Sequence, residues 1–496
     1  MVVVLLDSLN RHHLGSYGGT EFDTPNLDRF AARATRFTRH HTGSLPCMPA
    51  RHDILCGALD FLWKPWGSIE LWEQSITAAL RDAGVVTMLA SDHPHLFETG
   101  GENYHTDFTA WEYVRGHEGD PWRTYADPSW VGVPVRLNPG FHRPYDTSRT
   151  WFRGEDDFPG PRTMRAAADW VRGAQHHQRW LLFVDEFDPH EPFDTPEPWA
   201  SRYDPEWAEP RIIWPPYDVG AVREGRMSER EARHVRANYG SKLSMIDHWF
   251  GELLDALDAA ALWDSTAVIV CTDHGHYLGE KDIWGKPGVM QYEPLGHMPL
   301  LVHWPGALRI EESDALTTSV DLFATIADVF DVSVAHRTHG RSLVPVLEGR
   351  ADSVRDWVLG GVYGNWVQVT DGTRKYARAP SGDNFPLSMW SNRWSTMPVH
   401  GFPSLLAPPD RRARLDFMPG SDVPVIRQPF EPGDRLPYWV GGTCVDQHHL
   451  YDVGVDPAED EDLVGTSLEK ELLDLLRAAL DDVEAPAEQY RRLGVA

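Results

Sequence analysis

A cysteine and an arginine in one short segment are the residues of this chain best suited to chemistry. Residues 45–51 read Leu-Pro-Cys-Met-Pro-Ala-Arg and lead into a predicted helix. With four cysteines in 496 residues, the pattern Cys-x-Pro-x-Lys/Arg has an expectation of about 0.03 chance matches. A buried structural cysteine ahead of a helix-starting proline is the alternative interpretation of Cys47.

Two aspartates at the ends of predicted strands are the next candidates. Asp7 closes the apolar run 2–6, and Asp273 with His274 follows the apolar run 267–271. In open α/β sheets ligands bind beyond the carboxyl ends of the strands, where both aspartates stand. A turn or a helix cap is the alternative for each aspartate, and a hydrogen-bonded loop residue is the alternative for His274.

The elements that must position these residues alternate between strands and helices. Short apolar runs without alternation are typical of strands buried on both faces, and they occur at 2–6, 180–184, 267–271 and 300–302. Helical periodicity occurs between them at 25–36, 72–83, 162–173, 228–258 and 316–330. This order predicts an α/β fold with a large, mostly parallel central sheet flanked by helices.

The pattern changes after about residue 306. Residues 336–349 are predicted to form a connecting loop, and 379–443, rich in Pro, Trp and Gly, a long surface excursion. A final helix is predicted from Thr466, with Thr466 and Glu469 as a capping box. We therefore expect a large α/β domain over 1–350 and a smaller α+β domain over 351–496.

Composition excludes several classes of protein. Forty-six basic and 74 acidic side chains give a net charge of −28, which argues against a general binder of nucleic acid or anionic membranes. No stretch approaches the roughly 20 apolar residues that cross a bilayer. No signal peptide follows Met1, so a cytoplasmic location is expected, although a removed signal leaves no trace. The cysteines suggest neither a disulfide framework nor a CxxC metal site, and they are Cys47, Cys56, Cys271 and Cys444.

A set of motifs then occurs in a fixed order along nearly the whole chain. They are Asp-x-Leu and Leu-Gly-x-Tyr-Gly within 7–18, Thr-Pro-Asn-Leu-Asp at 24–28, Cys-x-Pro-x-Arg at 47–51, Asp-Pro-His-Glu-Pro-Phe at 188–193, Thr-Asp-His-Gly at 272–275, Trp-Gly-Lys-Pro at 284–287 and Leu-Tyr-Asp at 450–452. Together they resemble the type I sulfatase family of the alkaline-phosphatase-like superfamily.

That resemblance implies a modified nucleophile. In the family, a separate formylglycine-generating enzyme oxidises the signature cysteine, here Cys47, to an aldehyde that hydrates to a gem-diol. One diol oxygen attacks sulfur, and deprotonation of the other expels sulfate. The resemblance also implies one divalent cation, calcium first and manganese or magnesium as alternatives, held by Asp7, Asp273, His274 and the modified Cys47. Arg51 would hold the modified residue and offset charge.

Other site residues follow from the same resemblance. His190 resembles the family's histidine near the leaving group, and Lys286 resembles the lysine that contacts the sulfate oxygens. Without the resemblance, Lys286 would be interpreted as a solvated surface lysine. His93, His95 and His297 are the expected substrate contacts. The family's Gly-Lys-x-His segment reads Asp-His-Pro-His at 92–95, so a histidine would replace its lysine, and a polar loop is the alternative.

Two departures from the family pattern concern different properties. Ser8 stands where many members have a second carboxylate, which leaves the selectivity for sulfate open, and Met48 stands where the modifying enzyme usually meets a small residue, which bears on the conversion of Cys47. The Asp-His pair at 273–274 also occurs in choline-sulfatase-like and phosphonate-monoester-hydrolase-like members. We expect metal-dependent hydrolysis of a small sulfate ester, with a phosphodiesterase or phosphonate monoester hydrolase as the alternative. A non-catalytic binding protein is the alternative from another class, and a homo-oligomer is left open.

Overall fold

A computed structural model describes residues 1–137, 143–306, 310–396, 407–437 and 445–496. Cys444 and parts of the predicted surface excursion, 397–406 and 438–443, lie outside the described residues.

An eight-stranded sheet forms the centre of the molecule. Seven strands run in one direction, and only His297–His303 is antiparallel to its neighbours. The strands lie in the spatial order Glu312–Thr318, Thr35–His41, His297–His303, Val268–Cys271, Val2–Leu6, Trp180–Glu186, Val86–Ser91 and Ala110–Tyr113. The predicted large, mostly parallel central sheet is therefore confirmed.

The first strand lies in the middle of the sheet and sets the register around the site. Val2–Leu6 pairs in parallel with Trp180–Glu186 on one side and with Val268–Cys271 on the other. All five of its side chains are buried, as expected for a run without alternation. Because parallel strands end at one edge, Asp7, Asp185 and Asp273 come together there.

Helices cover both faces of the sheet. One face packs against Pro25–Ala31, Pro159–Gly173 and Glu229–Ala259. The other packs against Cys47–Cys56, Ile76–Asp82 and Ser319–Phe330. Shorter described helices occur at Arg143–Ser148, Glu293–Gly296, Val344–Leu347 and Ala487–Arg492. Within the described part of the chain, no helix combines the length and apolarity required to span a bilayer.

Two of the predicted helices include residues that form strands. The helix predicted over 25–36 ends at Ala31, and Thr35–His41 is a strand of the central sheet. Similarly, 316–330 contains the end of strand Glu312–Thr318 before helix Ser319–Phe330 begins. Both strands carry polar side chains, so they lack the unbroken apolar run by which the other strands were recognised.

The C-terminal part contains a second sheet that includes a piece of the N-terminal part. Its strands are His449–Asp452, Arg374–Arg378, Val367–Thr370, Val358–Val362 and Ser44–Leu45. Helix Ser467–Asp482 packs against this sheet through Leu472 and Leu476. Strand Ser44–Leu45 lies just before Cys47 in the chain, so this sheet helps to fix the position of the cysteine. The boundary placed at residue 350 stays a prediction.

Three local expectations in this region were wrong. The predicted loop 336–349 contains helix Val344–Leu347. The expected excursion contains an antiparallel sheet made of Leu387–Ser391, Pro424–Phe430 and Arg414–Phe417. The capping box predicted at the start of helix Ser467–Asp482 does not form. The Thr466 hydroxyl donates to the Leu463 carbonyl instead, and Glu469 accepts from Gly465 N–H.

A fourth, small sheet stands at the carboxyl edge of the central one. Its strands are Asp218–Val219, Ile283–Gly285 and Tyr277–Leu278, all antiparallel. Gly285 has φ +73°, and a Cβ there would lie 2.8 Å from the Tyr217 ring. Glycine therefore allows the chain to turn beside Tyr217 and to direct Lys286 toward the strand ends.

Candidate active site

Three carboxylates at the edge of the central sheet surround one guanidinium. Arg51 donates to both oxygens of Asp185 at 2.8 and 2.7 Å and to Asp273 Oδ2 at 2.8 Å. Its Nη2 lies 2.9 Å from Asp7 Oδ2, and its Nη1 donates to the Cys47 carbonyl at 3.3 Å. All four charged side chains are buried. One positive charge therefore faces three carboxylates, which leaves an excess of negative charge at this position.

Cys47 lies against this group. It is the first residue of helix Cys47–Cys56, and its Sγ is 3.2 Å from His274 Nε2. The ligand atoms of Asp7, Cys47, Asp273 and His274 all lie within 4.8 Å of one another. The structure thus brings together the four residues expected to hold a cation.

The chain turns sharply where the first strand ends. Ser8 has φ +62°, a conformation that non-glycine residues adopt rarely. The turn directs its N–H to Asp273 Oδ1 at 3.1 Å, while its hydroxyl donates to Asp7 Oδ1 at 2.7 Å. Ser8 therefore fixes the orientation of both carboxylates although it carries no charge itself.

The electrostatics of the four residues suit a divalent cation. Burial and the neighbouring Asp273 raise the pKa of Asp7 well above its usual range, and within the described residues Asp7 Oδ2 is held by its ion pair with Arg51 and by no further hydrogen bond. Burial lowers the pKa of His274 to about 4. His274 Nδ1 donates to the Gly275 carbonyl at 2.9 Å, so a neutral ring presents the Nε2 lone pair. Two carboxylates, an imidazole and residue 47 are a fitting ligand set for such an ion.

The thiol of Cys47 is itself a poor nucleophile. Burial, together with Asp7 and Asp273, raises its pKa well above the usual range. Because the thiolate is the nucleophilic form of cysteine, unmodified Cys47 is expected to be unreactive here.

His190, Glu191 and Lys286 form the opposite wall. Lys286 Nζ donates to Ser8 Oγ at 3.1 Å and lies 3.4 Å from Glu191 Oε2. His190 stacks on Phe187 with ring centroids 4.1 Å apart and donates from Nδ1 to the Glu191 carbonyl at 2.6 Å. Burial lowers the pKa of His190 well below its usual range. The ring is therefore neutral, and its Nε2 must gain a proton before it can donate one.

Two of the three expected substrate histidines lie near this wall, in different states. His93 is fully buried, stacks on Phe187 at 4.4 Å and has no hydrogen-bond partner for either ring nitrogen among the described residues. His95 faces Glu98 through Nδ1 and Glu118 Oε2 through Nε2, the latter at 3.1 Å. His93 can therefore accept a new contact, whereas both ring nitrogens of His95 already face carboxylates.

His297 is placed elsewhere. Its ring stacks on His41 with centroids 4.5 Å apart, and its nitrogens lie 2.5 Å from Glu293 Oε2 and 2.6 Å from the Thr38 carbonyl. The contacts of this side chain belong to a network with Glu293 and Lys375. The structure does not bring His297 to the residues around Cys47.

Four residues of the site were not expected from the sequence. They are Asp185, Glu191, Tyr217 and His276. Asp185 could have been found as a third aspartate at a strand end, and Glu191 as a neighbour of His190. Tyr217 and His276 had no signal in the sequence, since the small antiparallel sheet that brings them together was not predicted.

A narrow apolar cavity of about 30 Å³ lies beside His274 and Lys286. Apolar side chains from the first part of the chain and from the second sheet line it, and these include Leu45, Pro287, Val289, Leu295, Val362 and Trp366. The site therefore joins a polar centre to an apolar wall.

The chain is also similar in sequence to known proteins. Residues 1–332 match the family model described as Sulfatase. Choline-sulfatase of Rhizobium meliloti (strain 1021) is 26% identical over 413 residues, covering 76% of this chain and 77% of that protein. Arylsulfatase of Clostridium perfringens (strain 13 / Type A) is 23% identical, covering 73% of this chain and 80% of that protein.

Solved structures show the same fold. The phosphonate monoester hydrolase of Agrobacterium radiobacter has a TM-score of 0.65 at 17% identity, covering 98% of this chain and 96% of that one. At this identity the likeness concerns the fold, which is alkaline-phosphatase-like. Because the family model covers 332 of 496 residues, the chain belongs to the sulfatase family of sulfuric ester hydrolases.

Proposed function

We propose that this protein hydrolyses a sulfate monoester, using a formylglycine made from Cys47 as the nucleophile. The observation that carries the proposal is the grouping of Asp7, Cys47, Asp273 and His274 within 4.8 Å. A hydrated aldehyde at residue 47 would supply the attacking oxygen that the buried thiol does not. Maturation by a formylglycine-generating enzyme is therefore part of the proposal.

Asp7, Asp273, His274 and residue 47 would hold one divalent cation, with calcium first and manganese or magnesium as alternatives. Such an ion supplies positive charge at the attacking oxygen and at the ester oxygens. It would also balance the excess negative charge around Arg51. The guanidinium itself is occupied by its three carboxylates and by the Cys47 carbonyl, so we assign it to holding the nucleophile segment in place.

The opposite wall would act on the ester. Lys286 Nζ lies 3.1 Å from Ser8 Oγ and would stabilise negative charge on the transferring group. His190 would first take up a proton at Nε2 from water and then donate it to the leaving oxygen, because its Nδ1–H is held by the Glu191 carbonyl. His93, with both ring nitrogens unpartnered among the described residues, is the stronger of the expected substrate contacts.

A phosphonate monoester or phosphodiester is the second candidate substrate. Ser8, not a further carboxylate, follows Asp7, so the ligand set does not itself select sulfur over phosphorus. Relative kcat/KM values for an aryl sulfate and an aryl phosphonate ester test this choice. A clear preference for the phosphonate would make it the main activity.

The experiment compares protein produced with and without a formylglycine-generating enzyme. Intact mass gives the converted fraction, because replacing CH₂SH by CHO lowers the mass by about 18 Da. We expect 4-nitrophenyl sulfate hydrolysis in proportion to that fraction and none from Cys47→Ala. Hydrolysis that persists in Cys47→Ala would contradict the proposal. Full conversion without hydrolysis of any sulfate or phosphonate ester would favour the non-catalytic alternative.

A further inference from the structure

A buried carboxylate stands beside the lysine of the anion site. Glu191 is 3% exposed, and its Oε2 lies 3.4 Å from Lys286 Nζ and 3.2 Å from His276 Nε2. Its Oε1 accepts a hydrogen bond from the Tyr217 hydroxyl. An anion-binding site has no evident need for a carboxylate at this position, since it opposes the charge of the substrate.

All three sequence-distant partners of Glu191 reach it through the small antiparallel sheet. Tyr217 precedes strand Asp218–Val219, His276 precedes strand Tyr277–Leu278, and Lys286 follows strand Ile283–Gly285, which pairs with both. The Tyr217 residue is 46% exposed, so its ring lies at the mouth of the site while its hydroxyl holds the carboxylate inside. Glu191 is therefore fixed in place, and it is not free to turn away when an anion enters.

The charges around the reacting position balance only if Glu191 is counted. Four carboxylates face it, from Asp7, Asp185, Asp273 and Glu191, and two basic side chains, Arg51 and Lys286. A bound divalent cation brings the positive charges to four, equal to the negative ones. The nearby His190 adds no charge, because burial lowers its pKa well below the usual range.

The charged side chains around His95 do not make the net charge of the site more positive. Glu118 and Glu98 both face the single ring of His95. Two carboxylates and one protonated imidazole carry a net charge of −1, and this charge repels a highly charged anion.

We propose that Glu191 determines the charge of the ester that the site accepts. By pairing with Lys286 it keeps the loaded site neutral overall, which favours monoanionic esters over dianionic phosphate monoesters. This inference rests on the proposed function and concerns its selectivity. It applies equally to sulfate monoesters and to phosphonate monoesters, since both carry one negative charge.

The test uses two substrates with the same leaving group. At pH 8, 4-nitrophenyl sulfate carries one negative charge and 4-nitrophenyl phosphate carries two, because its second pKa lies near or below 6. The measured quantity is the ratio of kcat/KM for the phosphate to kcat/KM for the sulfate. We expect Glu191→Gln to raise this ratio at least tenfold over that of the wild type.

Tyr217→Phe is the matched control. It removes one hydrogen bond of the carboxylate and keeps the charge, so its effect on the two substrates should be equal within about threefold. A ratio that does not change in Glu191→Gln, or that changes as much in Tyr217→Phe, would overturn the inference.

A binding measurement separates this inference from the proposed function. In a Cys47→Ala background, isothermal titration calorimetry with the same two esters gives their relative Kd values with and without Glu191→Gln. We expect the substitution to tighten binding of the phosphate ester relative to the sulfate ester at least tenfold. Wild-type protein that hydrolyses neither ester contradicts the proposed function, whereas unchanged relative binding contradicts the role of Glu191.

Discussion

The charge state of His95 gives the sharpest prediction, because it decides whether this residue serves structure or substrate. Burial alone would lower its pKa, but Glu98 and Glu118 raise the pKa of His95 to about 10. In the unfolded chain its pKa lies near 6.5. The folded protein therefore binds one more proton than the unfolded chain between pH 6.5 and pH 10.

The sign of the effect follows from proton linkage. A group with a raised pKa in the folded state stabilises fully below its unfolded pKa, and the stabilisation is lost as the pH rises through its folded pKa. For pKa values of 6.5 and about 10, this contribution falls by about 3 kcal/mol between pH 6 and pH 9. The free energy of unfolding should decrease by that amount over this range because of His95.

The assay is urea unfolding of wild type and His95→Gln at both pH values. The glutamine is neutral throughout, and all other titrating groups are common to the two proteins. We expect the stability difference between them to be larger at pH 6 than at pH 9 by about 3 kcal/mol. A difference that is equal at both pH values would show that the ring is neutral in the folded protein and would refute the reasoning.

Three further predictions concern the site itself. Arg51→Met leaves three buried carboxylates without their guanidinium, so we expect a loss of about 3–5 kcal/mol in the free energy of unfolding in urea; an unchanged midpoint would contradict this. His190→Ala should lower kcat/KM by about 10²–10⁴ for an alkyl sulfate. The loss should be much smaller for 4-nitrophenyl sulfate, because its leaving group needs no proton. Equal losses for the two substrates would argue against proton donation by His190. His93→Phe keeps the stacking on Phe187 and removes two ring nitrogens that make no hydrogen bond within the described residues. We therefore expect about a tenfold lower kcat/KM without a lower melting temperature. Unchanged kinetics would exclude His93 as a substrate contact.

The part of the site built on strand ends could be predicted from the sequence. Asp7 and Asp273 follow apolar runs, and parallel strands must end at the same edge. Cys47 and Arg51 lie one helical turn apart, so their closeness required no long-range information. These relations depend on local sequence and on one rule of sheet topology.

The remainder depends on loops and short antiparallel strands. Tyr217 and Lys286 meet Glu191 only because Asp218–Val219 and Ile283–Gly285 pair, and strands of two or three residues carry no periodicity to detect. His297 was expected to contact substrate, and that role stays a prediction. In the folded chain its ring stacks on His41 beside Glu293.

The same limit applied to the fold. Thr35–His41 is polar except for Phe37, and its first two residues were assigned to the preceding helix. Its place in the sheet is fixed by pairing with His297–His303 and Glu312–Thr318. Pairing between distant segments decided its structure, and local propensity did not.

The central claim is that residues from two strand ends and one helix hold a divalent cation at Cys47. Crystals grown with Mn²⁺ and measured for anomalous scattering test it most directly. The account predicts one strong peak bounded by Asp7, Asp273, His274 and residue 47, at about 2.0–2.4 Å from the carboxylate oxygens. An empty centre in a crystal saturated with Mn²⁺, with Arg51 alone filling the space between the aspartates, would contradict it.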